Sequence, residues 1–169
     1  RNAQILPNSH LHFVFLRLII WRMQKIVITI CSINYLAQAK TLGDSLLKHN
    51  PEYQFLIGLV DRLDQSAIEK SQLPNYPLIE LHTIGIEDLD QMCDKYNITE
   101  LNTAVKPFFL EYVYATYSDA EIVHYFDPDI IVYQPLTIIE DALKTNSLFL
   151  TPHITSPYPD ENRPQERDH

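Results

Sequence analysis

Residues 25–30 read Lys-Ile-Val-Ile-Thr-Ile, with five β-branched side chains in succession. Such side chains are stiff at χ1 and pack best on a pleated surface, so the run is a strand. Neighbouring side chains on a strand point to opposite faces. A run apolar at nearly every position therefore needs cover on both faces, the situation of a parallel sheet flanked by helices. The residues that follow supply such cover. In "YLAQAKTLGDSLLKHN" Leu36, Ala39, Leu42, Leu46 and Leu47 recur at helical spacing, and Asn50-Pro51 ends the helix. "YQFLIGLVD" is a second strand ending on Asp61. "LDQSAIEKSQ" reads as a short polar helix, "PLIELH" as a third short strand and "IEDLDQMCDKY" as another helix. "ITELNTAVKPFFLEYVYATY" is helical in period, so a helix either starts near Pro107 or kinks there. "EIVHYF" is the next strand, "QPLTIIEDALKT" a helix and "NSLFLTPH" a last strand.

This alternation, from Met23 to about His153, predicts βαβ units: an α/β fold with a Rossmann-like, mostly parallel sheet and flanking helices. The expected domain is 23–157. Residues 158–169 read as a proline-rich, charged tail, expected to be disordered, where the domain is cut short. Residues 1–22 are expected to be an extra segment outside the fold. Their stretch "LHFVFLRLIIWR" is apolar, but Arg17 interrupts it and it falls short of the ~20 residues that span a bilayer. No small-residue cleavage site follows it. The expectation is that Met23 is the biological start and the preceding residues are an upstream read-through, with a membrane-surface helix as the rival reading. No stable membrane insertion and a cytoplasmic location follow from the first.

Composition narrows the chemistry. A net charge of −9 spread along the chain argues against a nucleic-acid surface, which needs a basic patch. With only 3 glycines there is no glycine-rich phosphate loop. Cys31 and Cys93 stand far apart, without a C-x-x-C pair, and suggest two buried, reduced thiols rather than a disulfide or a zinc site.

The chemistry concentrates in "HYFDPDIIVY", residues 124–133. If the strand continues, Asp127 and Asp129 point to one face. Two carboxylates that close repel unless a cation sits between them. A hard divalent ion, Mg²⁺ or Mn²⁺, suits oxygen ligands and substrate phosphates, and open α/β sheets bind ligands beyond the carboxyl ends of their strands. The competing reading is a turn, since Asp-Pro favours turn initiation. "IVHYF" and "IIVY" would then be hairpin arms, although no Gly or Asn supplies the positive φ of a tight hairpin. Among the other polar candidates, His124 inside the strand reads as a satisfied core histidine, and His153 lies at the same sheet edge as the paired aspartates. Phe108, Phe109, Tyr112 and Tyr114 read as core packing. Asn97-Ile98-Thr99 is a glycosylation sequon by pattern only.

Taken together, "TICSINYLAQA", "ELNTAVKPFFLEYVYATYSDAEIVHYFDPDIIVYQPL" and "LFLTPH" resemble the amino-terminal half of a GT-A fold nucleotide-sugar glycosyltransferase. The likeness is to bacterial enzymes of this kind and, more distantly, to the glycogenin and galactosyltransferase-like family. It covers roughly residues 23–164. It implies metal-assisted transfer of a sugar from a nucleotide-diphosphate donor, most simply a UDP-sugar, to an unknown acceptor. It also implies roles. Cys31, Ser32, Asn34 and Tyr35 would border the nucleoside, with Asp61 at the same rim. Lys106 would reach the diphosphate or the D-x-D motif. Asp127 and Asp129 would hold Mn²⁺ or Mg²⁺, with Asp127 also at the donor. A further metal ligand and the acceptor site would come from the other half of such an enzyme. Two alternatives stand beside it: a haloacid-dehalogenase-like phosphohydrolase, whose D-x-D normally follows the first strand, and a truncated, non-catalytic nucleotide-binding remnant.

Overall fold

The computed structural model describes residues 24–152. The expectations about the extra N-terminal segment, His153 and the tail lie outside the described residues. Four strands form one sheet: β1 (Gln24–Cys31), β2 (Tyr53–Leu59), β3 (Leu78–Glu80) and β4 (Ala120–Tyr125). Their order is β3-β2-β1-β4 and every pairing is parallel, so the chain has the expected α/β, Rossmann-like architecture. Helix α1 (Leu36–His49) joins β1 to β2. Helices α2 (Leu89–Lys95), α3 (Ile98–Ala104) and α4 (Lys106–Thr116) carry the chain from β3 across to β4, and α5 (Thr137–Leu143) follows.

The β-branched run is buried on both faces. Ile26, Ile28 and Ile30 join Leu56, Leu101, Val105, Phe109 and Val113 in a core beneath α3 and α4. Val27 and Cys31 join Leu36, Ala39, Leu42, Leu46, Phe55 and Leu59 in a second core beneath α1. Two glycines allow the close approach of these layers. A Cβ on Gly58 of β2 would stand 2.9 Å from the Phe109 ring, and one on Gly43 of α1 would stand 2.6 Å from Phe55.

Pro107 divides what would otherwise be one helix. It has no N–H for the carbonyl of Thr103, and its ring crowds that carbonyl. α3 ends at Val105, whose ψ of −6° departs from the helical mean, and α4 begins beyond it with Pro107 in its first turn. Asn97, the sequon residue, caps α3: its side chain accepts the N–H groups of Thr99 and Glu100, both at 3.0 Å, while Glu100 returns a bond to Asn97 N–H at 2.9 Å.

Three expectations are corrected. Residues 63–72 form two isolated 3₁₀ turns, Leu63–Gln65 and Lys70–Gln72, instead of a helix, because few of their side chains reach a core. No strand forms over 146–152: Leu148, Phe149 and Leu150 are exposed and pair with none of the described strands. In the aromatic series only Phe109 is fully buried. Tyr114 faces solvent, since the helical period puts 105, 109 and 113 inward.

Candidate functional site

The order β3-β2-β1-β4 reverses direction at β1. One connection from β1 leads to β2 on one side, while β4 arrives on the other. In such a sheet the usual place for a ligand is beyond the carboxyl ends of two strands whose following loops diverge. The loop after β1 begins at Ser32 and the segment after β4 at Phe126, so both leave the sheet at this point.

On the β1 side a polar knot holds the loop. The Ser32 hydroxyl donates to Asn34 Oδ1. The Asp61 carboxylate, just past β2, accepts the N–H of Ile33 at 2.6 Å. Asp61 thus fixes the β1–α1 loop and lies at the rim with Ser32 and Asn34. Tyr35 is exposed at the same loop. The Cys31 side chain is buried in the core below α1. Burial, then the negative charge of Asp61, pushes its thiol up to about 12, so it stays protonated and is no nucleophile.

On the β4 side the strand ends at Tyr125, short of Asp127 and Asp129, so the alternation that would put both on one face does not reach them. Asp127, Pro128, Asp129 and Ile130 form a turn in which Ile130 N–H donates to the Asp127 carbonyl at 3.2 Å. Asp at the first position and Pro at the second suit a type I turn, and no non-glycine residue among those described has positive φ. The turn reading of the motif therefore holds locally, while its hairpin arms do not. Residues 130–133 do not pair back onto β4. They cross toward α1, where Val132 N–H donates to Ser45 Oγ at 3.0 Å and Leu136 N–H to Asn50 Oδ1 at 2.8 Å.

Both carboxylates are exposed beside one phenol. Tyr125 donates its hydroxyl to Asp127 Oδ1 at 2.6 Å. Burial first, then Asp127, with a smaller push from the more distant charge of Asp129, raise the Tyr125 hydroxyl well above its ordinary value, so it remains a donor. Lys106, the first residue of α4, places its ammonium 3.3 Å from the same Asp127 oxygen and 4.5 Å over the Tyr125 ring. Tyr125 was not among the residues singled out from the sequence. A tyrosine two residues before an aspartate, in a strand facing α4, was the available signal.

The structure thus groups the expected residues into two neighbouring sets: Ser32, Asn34 and Asp61, and Lys106, Asp127 and Asp129 with Tyr125 added. Among the described residues no cluster of three or more His, Cys, Asp or Glu side chains could hold a metal. His124 is not part of this site. It is buried in β4 and shares a 3.2 Å hydrogen bond with Tyr53, as a core histidine should.

No protein-family model matches the chain, and no solved structure matches it. The chain is similar to the "Uncharacterized protein YfnD" of Bacillus subtilis (strain 168), with 27% identity over 131 residues. The match covers 76% of this chain and 42% of that protein. No described helix is long and apolar enough to cross a membrane.

Proposed function

We propose that the chain carries the donor-binding part of a glycosyltransferase that moves a sugar from a nucleotide diphosphate, UDP-sugar in the first instance, to an acceptor not identified here. The observation that carries the reading is the exposed Asp127-Pro128-Asp129 turn at the carboxyl end of β4, next to β1, with Lys106 against it. This end of the sheet would offer a nucleotide diphosphate two kinds of contact. The polar loop at Ser32 and Asn34, held by Asp61, would border the nucleoside. The carboxylates and the ammonium of Lys106 serve the diphosphate. Asp127 and Asp129 would hold Mn²⁺ or Mg²⁺, which when bound supplies a Lewis acid that offsets charge on the leaving diphosphate. Lys106 adds a positive donor for the same oxygens. Tyr125 keeps Asp127 oriented through its hydroxyl.

Calorimetric titration with a UDP-sugar and with uridine, each with and without Mn²⁺, tests this. UDP-sugar is expected to bind only with the metal, and Asp129→Asn to abolish that binding, because an amide is a poor ligand for a hard cation. Metal-independent binding, or wild-type binding by both Asp127→Asn and Asp129→Asn, overturns the proposal.

A further inference from the structure

Lys106 meets Asp127 on the oxygen that also accepts the Tyr125 hydroxyl, and its ammonium rests over the Tyr125 ring. Two contacts, to a carboxylate and to the ring face of the tyrosine that donates to the same carboxylate, give this lysine a defined seat. We propose that Lys106 is the resident cation of Asp127, and that a divalent ion and the Lys106 ammonium compete for that carboxylate. The inference rests on the metal reading of Asp127 and Asp129 given above.

Geometry supplies the reason. A divalent ion lies about 2.1 Å from a carboxylate oxygen. On Asp127 Oδ1, which Lys106 approaches to 3.3 Å, such an ion stands within about 5.4 Å of the ammonium. Two like charges at that separation repel, within the ~8 Å over which salt leaves them unscreened. The seat can be vacated, because the side chains of Lys106 and Asp127 are both partly exposed and lysine carries its charge on a flexible four-carbon stem. A diphosphate gives the released ammonium a new anion. Diphosphate and metal therefore assist one another in two ways: the phosphate oxygens ligate the ion, and the phosphate also draws Lys106 off Asp127. Lys106 acts here as a positioning residue for the metal site, in addition to its role at the diphosphate.

The test measures Mn²⁺ binding without nucleotide, by the electron-spin-resonance signal of free Mn²⁺, in wild type, Lys106→Met, Lys106→Arg and Asp129→Asn. Removing the competing charge is expected to tighten Mn²⁺ binding about tenfold in Lys106→Met, within the usual range of coupling between sites. Lys106→Arg, which keeps the charge, should bind Mn²⁺ as wild type does. Addition of UDP should enhance Mn²⁺ affinity less in Lys106→Met than in wild type. Equal or weaker Mn²⁺ binding by Lys106→Met, with binding lost in Asp129→Asn, overturns the competition and leaves the metal reading standing. Absence of Mn²⁺ binding in both wild type and Lys106→Met, with UDP present or not, overturns both. Binding by Lys106→Met alone supports the competition directly.

Discussion

The same trio of side chains occurs twice, at opposite ends of the sheet and on opposite faces. At the amino end, Lys25 of β1 stands 2.7 Å from Glu140 of α5, the Tyr53 hydroxyl donates to Glu140 at 2.6 Å, and Lys25 lies 5.6 Å from the centre of the Tyr53 ring. At the carboxyl end, Lys106, Asp127 and Tyr125 repeat the pattern. The Glu140 side chain is only 16% exposed and divides its two donors between its two oxygens. The Asp127 side chain is 53% exposed and receives both on one oxygen. Beside Asp127 lies a second carboxylate, Asp129, that makes no hydrogen bond or ion pair among the described residues. A lysine–carboxylate–tyrosine trio therefore does not by itself mark function. Once desolvated it locks α5 to the sheet, whereas in water with a spare carboxylate its partners can be exchanged.

Four measurements separate the two trios. The largest effect is expected from ligand. Mn²⁺ with UDP, each near 100 times its dissociation constant, should stabilise the wild type by roughly 2.7 kcal/mol in thermal melting. Glu140→Gln should retain that increment, and Asp127→Asn and Asp129→Asn should lose it. An increment lost in Glu140→Gln and kept in the other two would invert the comparison. Next, Glu140→Ala should cost about 2 kcal/mol in denaturant unfolding, because hydrogen bonds to a charged, mostly buried group are lost.

Acid should find the amino end first. Burial, opposed in part by Glu140, holds His124 below its ordinary value. The folded protein thus keeps His124 neutral where the unfolded chain takes up a proton. Its contribution is complete above about pH 6.5 and is lost as pH falls below that, toward the depressed folded value. Glu140 adds to this at lower pH. Burial works against its ionised form, yet the hydrogen bonds from Lys25 and Tyr53 prevail and lower it, so its contribution falls away below the ordinary carboxylate value. His124→Phe, which keeps a ring between Tyr53 and Phe126, should flatten the pH 5–7 part of the stability curve, a slope of at most about 1.4 kcal/mol per pH unit. An unchanged slope would show that another group titrates there. The smallest effect belongs to Asp127→Ala, which should change metal-free stability by no more than about 0.5 kcal/mol. A loss comparable to that of Glu140→Ala would make the carboxyl-end trio structural as well.

Much of this molecule was legible in the sequence where the signal was local and periodic. The run 26–30 required cover on two faces, and the leucines of α1 repeat every three or four residues, so strand, helix and parallel sheet followed. Pro107 marked the division between α3 and α4, although only the tertiary structure chose a break at Val105 with a restart in place of a single kinked helix. Residues 63–72 and 146–152 were misread because short polar or short apolar stretches take their form from what they pack against. The site was legible in part. The residues named from the sequence do gather at one end of the sheet, but Tyr125 was missed, and only the structure chose the turn over the continued strand at Asp127–Asp129.

What the sequence determined by itself was the class of fold and the edge of the sheet where carboxylates collect, because alternation and helical period are properties of neighbouring residues. What the tertiary structure alone decided was pairing. Lys25 meets a glutamate far along the chain, and Lys106 meets an aspartate across the α4–β4 junction. Burial then separates two chemically similar trios, and burial is set by where each carboxylate comes to rest against the sheet: α5 carries Glu140 down onto Lys25 and Tyr53, while Asp127 stays exposed on its turn.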